Sequence, residues 1–310
     1  MSGHHHDHGT GGGDRRIGWA IFVNVLLTFA QIAGGIVSGS LSMIADALHN
    51  FSDAASLLIA FGARRIARRP ADNEMTFGYV RAEIVAALIN YTTLIVIGLY
   101  LLYEAVVRFI QPEPIEGWTV VIIAGVALLI DMVTAMLTYA MSKNSMNIRA
   151  AFLHNVADAL GSVGVIIAGT LILIYEWTWI DPAITLLIAA YILWQAFAEI
   201  GSSVRVLMMA VPEDIDISSV VEELRSIEGV EAVHHVHVWA LDEGHNAIEA
   251  HLVIGGTSFA DMARIKKQAR KLLKANYRIG HSTIEIESYD DRCDEGSKVV
   301  GHEAGELSGD

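Results

Sequence analysis

Six stretches within the first 208 residues carry almost no charge. Three contain no charged side chain, and three are interrupted only by a few acids and histidines. They span residues 17–37, 41–62, 84–103, 118–141, 150–175 and 183–198. Each is close to the about 20 apolar helical residues that cross a bilayer core of roughly 30 Å. The pattern therefore predicts an all-α membrane domain of six spanning helices over residues 16–208.

Basic side chains fall on alternate connections between these stretches. Arg and Lys residues precede the first stretch and follow the second, fourth and sixth, whereas the other three connections hold none, with only Arg108 near that side. Connections rich in Lys and Arg stay on the cytoplasmic side of a membrane. The sequence therefore places both ends of the chain in the cytoplasm.

The composition changes after Val211 and Pro212 to that of a small soluble domain. A segment with helical spacing is followed by two alternating segments that read as a hairpin, then by an amphipathic helix that a serine caps, then by a third alternating segment. The order helix, strand, strand, helix, strand predicts a cytoplasmic α+β domain over residues 209–289. Residues 290–310 are acidic and glycine-rich, and we expect them to be mobile.

Charge and cysteine content narrow the function further. The formal net charge is -14, which argues against binding to nucleic acid and suits divalent cations. Cys293 is the single cysteine, so no intramolecular disulfide can form.

Two membrane stretches carry the same polar pattern. "LHNFSDA" begins at Leu48 and "LHNVADA" begins at Leu153. Residues four apart lie on one face of a helix, which places His49 with Asp53 and His154 with Asp158. Two such helices side by side offer two imidazoles and two carboxylates, a tetrahedral donor set that zinc accepts. The alternative is that each pair only binds a neighbouring helix, but ionisable groups in a bilayer are costly and their duplication favours a metal site.

Two further acids lie within the membrane stretches. Asp46 is three residues before His49 and close to the same helix face. It would orient His49, carry a proton, or simply lie near the membrane boundary. Asp131 is the single acid in the fourth stretch. It would lie on the ion or proton pathway, orient a metal ligand, or form a hydrogen bond between helices.

The whole pattern resembles the cation diffusion facilitator family. The resemblance covers about Asp14 to Ser288 and is carried by "SLSMIADALHNFSDAASLL", "RRPADNEMTFGYVRAEIVAALIN", "FLHNVADALGSVGVI" and "VHHVHVWAL". It implies a homodimer in the bacterial inner membrane that exports Zn²⁺ or related ions in exchange for protons by alternating access. It also implies that the cytoplasmic domain is ferredoxin-like (αββαβ), and that His49, Asp53, His154 and Asp158 form the transport site.

The resemblance implies a preference for zinc and a second metal site. The histidine at position 49 is typical of the zinc branch, with Cd²⁺ and Co²⁺ as further candidates. His234, His251, His281 and Glu287 match positions at which the tails of relatives bind cytoplasmic zinc. By residue count, His234 and His251 face each other across the hairpin, as ligands or as ordinary strand residues.

Two segments outside the membrane stretches differ in their content of histidine, a common metal ligand. The connection "RRPADNEMTFGY" contains no histidine, so we predict no surface zinc site there, although some relatives have one. The histidine-rich leader, residues 1–15, is either a purification tag or a native metal-collecting arm. Asp7 interrupts its histidine run, which favours the arm.

Three other functions would also use metal-binding residues in a membrane protein. An intramembrane metalloenzyme needs an open coordination position and a general base, usually in HExxH, which is absent from the sequence. A metal sensor anchored by its membrane part would leave the intramembrane ligands without a purpose. A channel would contain the same metal-binding residues. Ion flux through a channel would not depend on a proton gradient, which distinguishes it from an exchanger.

Overall fold

The structure is a computed structural model that describes residues 11–142, 146–242, 244–255, 258–288 and 299. For residues 11–24, 137–138, 140–142, 146–151 and 154 only the backbone is described. The histidines of the leader, the side chain of His154 and all of the predicted acidic tail except Val299 therefore lie outside the described residues.

Six long helices account for most of the described chain up to residue 207. They are α1 (Gly11–Ser38), α2 (Leu41–Ala67), α3 (Ala82–Ile110), α4 (Gly117–Ser142), α5 (Met146–Tyr175) and α6 (Ile180–Leu207). Within the described residues, four segments are long and apolar enough to cross a membrane: Ala82–Ile110, Gly117–Met136, Asn155–Tyr175 and Ile180–Leu207. A shorter apolar helix covers Val25–Ser38. Helix α2 falls outside this set because it carries Asp46, His49, Asp53 and two arginines, which lower its hydropathy.

The first turn of α2 is capped by another helix. Asp181 of α6 is fully buried and accepts hydrogen bonds from Ser40 Oγ at 2.6 Å, from Leu41 N at 2.7 Å and from Ser42 Oγ at 2.6 Å. A carboxylate at this position satisfies amide groups that have no partner within the helix, and it opposes the positive end of the helix dipole. Helix α6 therefore fixes where α2, the helix that carries His49, begins.

Removal of the Asp181 carboxylate should destabilise the membrane domain. We expect Asp181→Ala to cost about 1–3 kcal/mol for each buried donor left without a partner. Thermal unfolding of the purified protein in detergent measures the loss, with Glu116→Gln as a control because Glu116 is exposed. An Asp181→Ala protein as stable as the control would show that the cap contributes nothing to the fold.

The C-terminal domain has the predicted order of elements. These are α7 (Ile217–Arg225), β1 (Val230–Ala240), β2 (Asn246–Ile254), α8 (Phe259–Tyr277) and β3 (Ile279–Ser288). Ser258 caps α8 by accepting a hydrogen bond from Ala260 N, as its position before the apolar pattern predicts. The prediction of an α+β domain is confirmed.

A three-stranded sheet in the order β1-β2-β3 organises this domain. Strands β1 and β2 are antiparallel, whereas β3 runs parallel to β2. Both helices pack on the sheet through buried aliphatic side chains, among them Leu224, Ile248 and Leu273. The histidines of β1 and β2 and the glutamates of β3 are brought together by this sheet.

Candidate metal sites

One cluster of metal-ligating atoms lies within the membrane helices. His49 Nε2 is 3.6 Å from Asp53 Oδ2 and 3.7 Å from Asp158 Oδ1. His49 and Asp158 are buried, and Asp53 is partly buried. Zinc bonds to N and O of about 2.0–2.2 Å in a tetrahedron place ligand atoms about 3.4 Å apart. The observed separations therefore fit a single ion held between α2 and α5.

Helix periodicity brings these ligands together. His49 and Asp53 are one turn apart on α2, and Asp158 comes from α5. His154 is one turn before Asp158 on the same helix, and its side chain is outside the described residues. The structure therefore places three of the four predicted transport ligands at one point.

An aromatic ring from α6 packs beside His49. The ring of Tyr191 meets the imidazole edge-on, with 6.0 Å between ring centroids and 80° between planes. This contact restricts the rotation of the imidazole, whose Nε2 faces the two carboxylates. No pattern in the sequence pointed to Tyr191, because its contact with His49 depends on how α6 packs against α2.

The two additional acids lie outside this group of ligand atoms. Asp46 is buried and accepts a hydrogen bond from Gln31 Nε2 of α1 at 2.8 Å. Asp131 is buried and accepts a hydrogen bond from Ser162 Oγ of α5 at 3.1 Å. Ser162 is four residues beyond Asp158 on α5, and Asp46 is three residues before His49 on α2. Both acids therefore lie about one helical turn of 5.4 Å from the ligand cluster. This level is nearer to the predicted outer side.

A second cluster of metal-ligating atoms lies in the C-terminal domain. His234 Nε2 is 3.2 Å from Glu287 Oε2, and His251 Nδ1 is 2.8 Å from Glu287 Oε1. The three ligand atoms of this group lie within 4.8 Å of one another. Glu287 is buried in the domain, where an ionised carboxylate requires partners. Two imidazoles and a carboxylate form a donor set that suits zinc.

The sheet register explains this second cluster. His234 of β1 lies opposite His251 of β2, and His251 in turn lies beside Glu285 of β3. A bulge follows His234, where His235 has a φ of 50°, and the His235 ring then stacks on His251 with centroids 4.5 Å apart.

Glu285 also lies beside the second cluster, and it was not predicted as a site residue from the sequence. Its Oε2 lies 3.5 Å from His251 Nε2. Because residues two apart in a strand share a face, Glu285 faces the same way as Glu287. That alternation in "TIEIES" was the available signal.

His281, which the sequence predicted as a ligand, lies away from this group of three. The side chain is exposed, and its residue pairs with Ala247 at the start of β3. With a rise of about 3.3 Å per residue, His281 lies about 13 Å along the strand from Glu285. Its ring instead meets Phe77 of the α2–α3 connection, with centroids 5.5 Å apart.

In the α2–α3 connection, the carboxylate of Asp72 forms hydrogen bonds within its own turn. Asp72 accepts hydrogen bonds from Glu74 N, Met75 N and Tyr79 Oη. Those from the amide of Met75, the hydroxyl of Tyr79 and the amide of Glu74 hold the pKa of Asp72 below its ordinary value. Its carboxylate therefore stabilises the turn.

His245 occupies the turn of the hairpin, away from the cluster. Its Nδ1 lies 2.9 Å from both carboxylate oxygens of Asp242. Partial burial would raise the pKa of Asp242, but hydrogen bonds from Gly244 and His245 outweigh it and the pKa is lowered. His245 thus supports the turn that joins the two histidine-bearing strands.

Comparison with known proteins identifies the family. The model of the cation efflux transmembrane domain matches residues 19–208, and that of the cation efflux protein cytoplasmic domain matches residues 212–289. The chain belongs to the cation efflux family. This is the cation diffusion facilitator family that the motifs resemble, so the protein is a secondary transporter and not an enzyme. It is an integral membrane protein with a cytoplasmic C-terminal domain.

Several relatives of this cation efflux protein are similar over nearly their whole length. The metal cation efflux system protein CzcD of Cupriavidus metallidurans is 35% identical over 92% of this chain and 90% of its own. The cadmium, cobalt and zinc/H(+)-K(+) antiporter of Bacillus velezensis is 34% identical over 92% of each chain. The zinc transporter ZitB of Escherichia coli K12 is 35% identical over 88% of this chain and 87% of its own.

A solved structure of the metal-bound C-terminal domain of the CzcD transporter from Cupriavidus metallidurans also matches. It is 26% identical, covers 24% of this chain and 99% of its own, and has a TM-score of 0.22.

Proposed function

We propose that this protein exports Zn²⁺ from the cytoplasm in exchange for protons, by alternating access of a site formed by His49, Asp53, Asp158 and His154. The meeting of His49 Nε2 with two carboxylates inside membrane helices carries the proposal. The similarity to a zinc transporter and to a cadmium, cobalt and zinc antiporter supports it.

The donor set favours zinc among divalent ions. Imidazole nitrogens and carboxylate oxygens suit zinc, whereas calcium and magnesium bind oxygen donors alone. Cadmium and cobalt are further cargo candidates, because nitrogen and carboxylate ligands do not separate these ions by affinity alone.

Proton exchange follows from the chemistry of the ligands. The imidazoles must be neutral and the carboxylates ionised to bind Zn²⁺, so binding releases protons. Reprotonation of the same groups on the outer side weakens the site and releases the ion. A site that is open to one side at a time then moves zinc and protons in opposite directions.

Asp46 and Asp131 belong to the proposed proton path. Both are buried acids one helical turn from the ligands on the predicted outer side, and each has a polar partner on another helix. They lie where protons from outside would approach the cluster. Intramembrane carboxylates commonly mark such paths.

The cytoplasmic domain, residues 209–289, is proposed to bind zinc through His234, His251 and Glu287, with Glu285 beside them. A zinc ion held there would tie β1, β2 and β3 together.

We assign transport to residues 16–208, and we infer a homodimer that pairs through the cytoplasmic domains. We further propose that the protein resides in the bacterial inner membrane with both termini in the cytoplasm.

Uptake into everted membrane vesicles tests the proposed function. The cytoplasmic face then points outward, so an acidic lumen supplies the proton gradient. We expect radioactive zinc to accumulate in the lumen above its external concentration, and an ionophore that dissipates the pH gradient to abolish the accumulation. Zinc that only equilibrates, whether or not the gradient is present, would favour a channel and contradict exchange.

A further inference from the structure

Asp46 of α2 and Gln31 of α1 form a buried polar pair. Gln31 has an exposed fraction of 1% and Asp46 of 4%. Gln31 Nε2 donates to Asp46 Oδ2 at 2.8 Å. Gln31 Oε1 is also buried, and it has no hydrogen-bond partner among the described residues. The pair therefore contains one satisfied donor and one buried acceptor that is available for another bond.

An amide suits a carboxyl group that changes its protonation state. A carboxylate only accepts hydrogen bonds, whereas a carboxylic acid also donates one. In the observed orientation the amide donates to an accepting oxygen of Asp46. A half-turn about the last side-chain bond of Gln31 would present Oε1, which could accept the hydrogen of a protonated Asp46. Gln31 can therefore satisfy both forms.

Helix α5 approaches Asp46 on another side. A Cβ atom at Gly161 would lie only 2.8 Å from Asp46 Oδ1, so any larger residue there would require the carboxyl group to move. Gly161 is three residues beyond Asp158, close to the same face of α5. The carboxyl group of Asp46 thus lies within one helical turn of a proposed metal ligand without belonging to the ligand cluster.

Among the described side chains, the charged groups that face Asp46 from other helices are acids. Asp131 faces it from α4 and Asp158 from α5, while α1 contributes the neutral Gln31. His49 lies one turn further along α2 itself. A proton on Asp46 and a positive ion in the ligand cluster would repel each other, so binding of one favours release of the other.

We propose that Asp46 carries a proton in the exchange cycle and that Gln31 is the positioning residue that stabilises it in both protonation states. The proton forms an O–H bond on Asp46 when taken from the outer side and leaves that oxygen towards the cytoplasm as zinc moves outward. No group other than water and the transported ion is needed. This inference rests on the proposed zinc/proton exchange.

The test compares wild type with Gln31→Met, which keeps the length of the side chain but removes the amide. Purified protein is placed in sealed vesicles that contain a zinc dye and a pH dye, and zinc uptake is recorded as a function of pH. The hydrogen bond from the amide to the ionised carboxylate is stronger than the bond to the neutral acid, because hydrogen bonds to charged groups are the stronger ones. Loss of the amide therefore costs the ionised form more, and the pH of half-maximal uptake should shift upward by about one unit. Equilibrium zinc affinity should stay within about twofold, as no ligand is changed.

Two more variants keep the test independent of folding defects. Gln31→Glu preserves the shape of the amide but adds a second acid, so its shift should exceed that of Gln31→Met. Thr170→Val is the control. It removes a hydroxyl from α5 that, among the described residues, donates to Ile166 O of its own helix. It should leave the pH profile unchanged.

The outcomes separate this inference from the function beneath it. If wild type exchanges zinc for protons while folded Gln31→Met and Gln31→Glu keep its pH profile, the role of Gln31 is overturned and the exchanger stands. If wild-type zinc uptake is independent of pH and moves no protons, both proposals fall. Upward shifts in the two Gln31 variants, with an unchanged control, support the pair.

Discussion

We expect the Asp158→Asn protein to reach the membrane in normal amounts and to transport zinc at least about 100-fold more slowly than wild type. Loss of a hydrogen-bonding partner of a metal ligand already costs about 10–100-fold in affinity, and this change removes the charge of a proposed ligand itself. Asparagine keeps the size of the side chain, so the buried position stays filled. Initial rates of radioactive zinc uptake into vesicles measure the effect.

A control on the same membrane domain separates loss of a ligand from loss of any polar group. Ser56 lies three residues beyond Asp53 on α2, but its hydroxyl contacts Ser52 O and Asn90 of α3. Ser56→Ala should therefore transport within about twofold of wild type, since an interaction away from the ligands is lost. Equal rates in wild type and Asp158→Asn would remove Asp158 from the transport site.

The cytoplasmic cluster gives the second large effect, in the stability that zinc confers. In an Asp158→Asn background, which disables the transport site, zinc at 100 times its dissociation constant should stabilise the protein by about 2.7 kcal/mol. Glu287→Gln in that background should lose most of this gain, because Glu287 touches both His234 and His251. Thermal unfolding of the full-length protein with and without zinc measures it, each variant being compared with its own metal-free form.

His281→Ala is the matched control for the cytoplasmic cluster. The side chain is exposed and packs against Phe77, so its removal should leave the zinc-dependent gain intact. A protein that loses the gain with His281→Ala and keeps it with Glu287→Gln would contradict the ligand set drawn from the sheet.

The strongest sequence signals were local in the chain. The four-residue spacing of His49 and Asp53 follows from the helical repeat, and its second copy pointed to Asp158 on a neighbouring helix. Alternating apolar residues likewise predicted the β1–β2 hairpin, which places His234 opposite His251. Such features depend on residues close together or on one repeated pattern, and a single sequence contains both.

Features that depend on how helices and strands pack could not be predicted from the sequence. Gln31, Tyr191 and Asp181 are ordinary residues of apolar helices until α1 and α6 are placed against α2. In the cytoplasmic domain, β3 pairs in parallel with β2 across an intervening helix, so its register is not set by a turn. That register is what brings Glu285 and Glu287 to His251 and leaves His281 at the far end of the strand.

The most direct measurement records zinc and proton movement together in one vesicle preparation. Purified wild type and Asp158→Asn are compared in sealed vesicles with a zinc dye and a pH dye inside, after Zn²⁺ is added outside. We predict zinc entry with opposite proton movement in wild type and neither in the variant. Zinc entry in wild type without proton movement, or equal exchange in both proteins, would contradict exchange through the cluster of His49, Asp53 and Asp158.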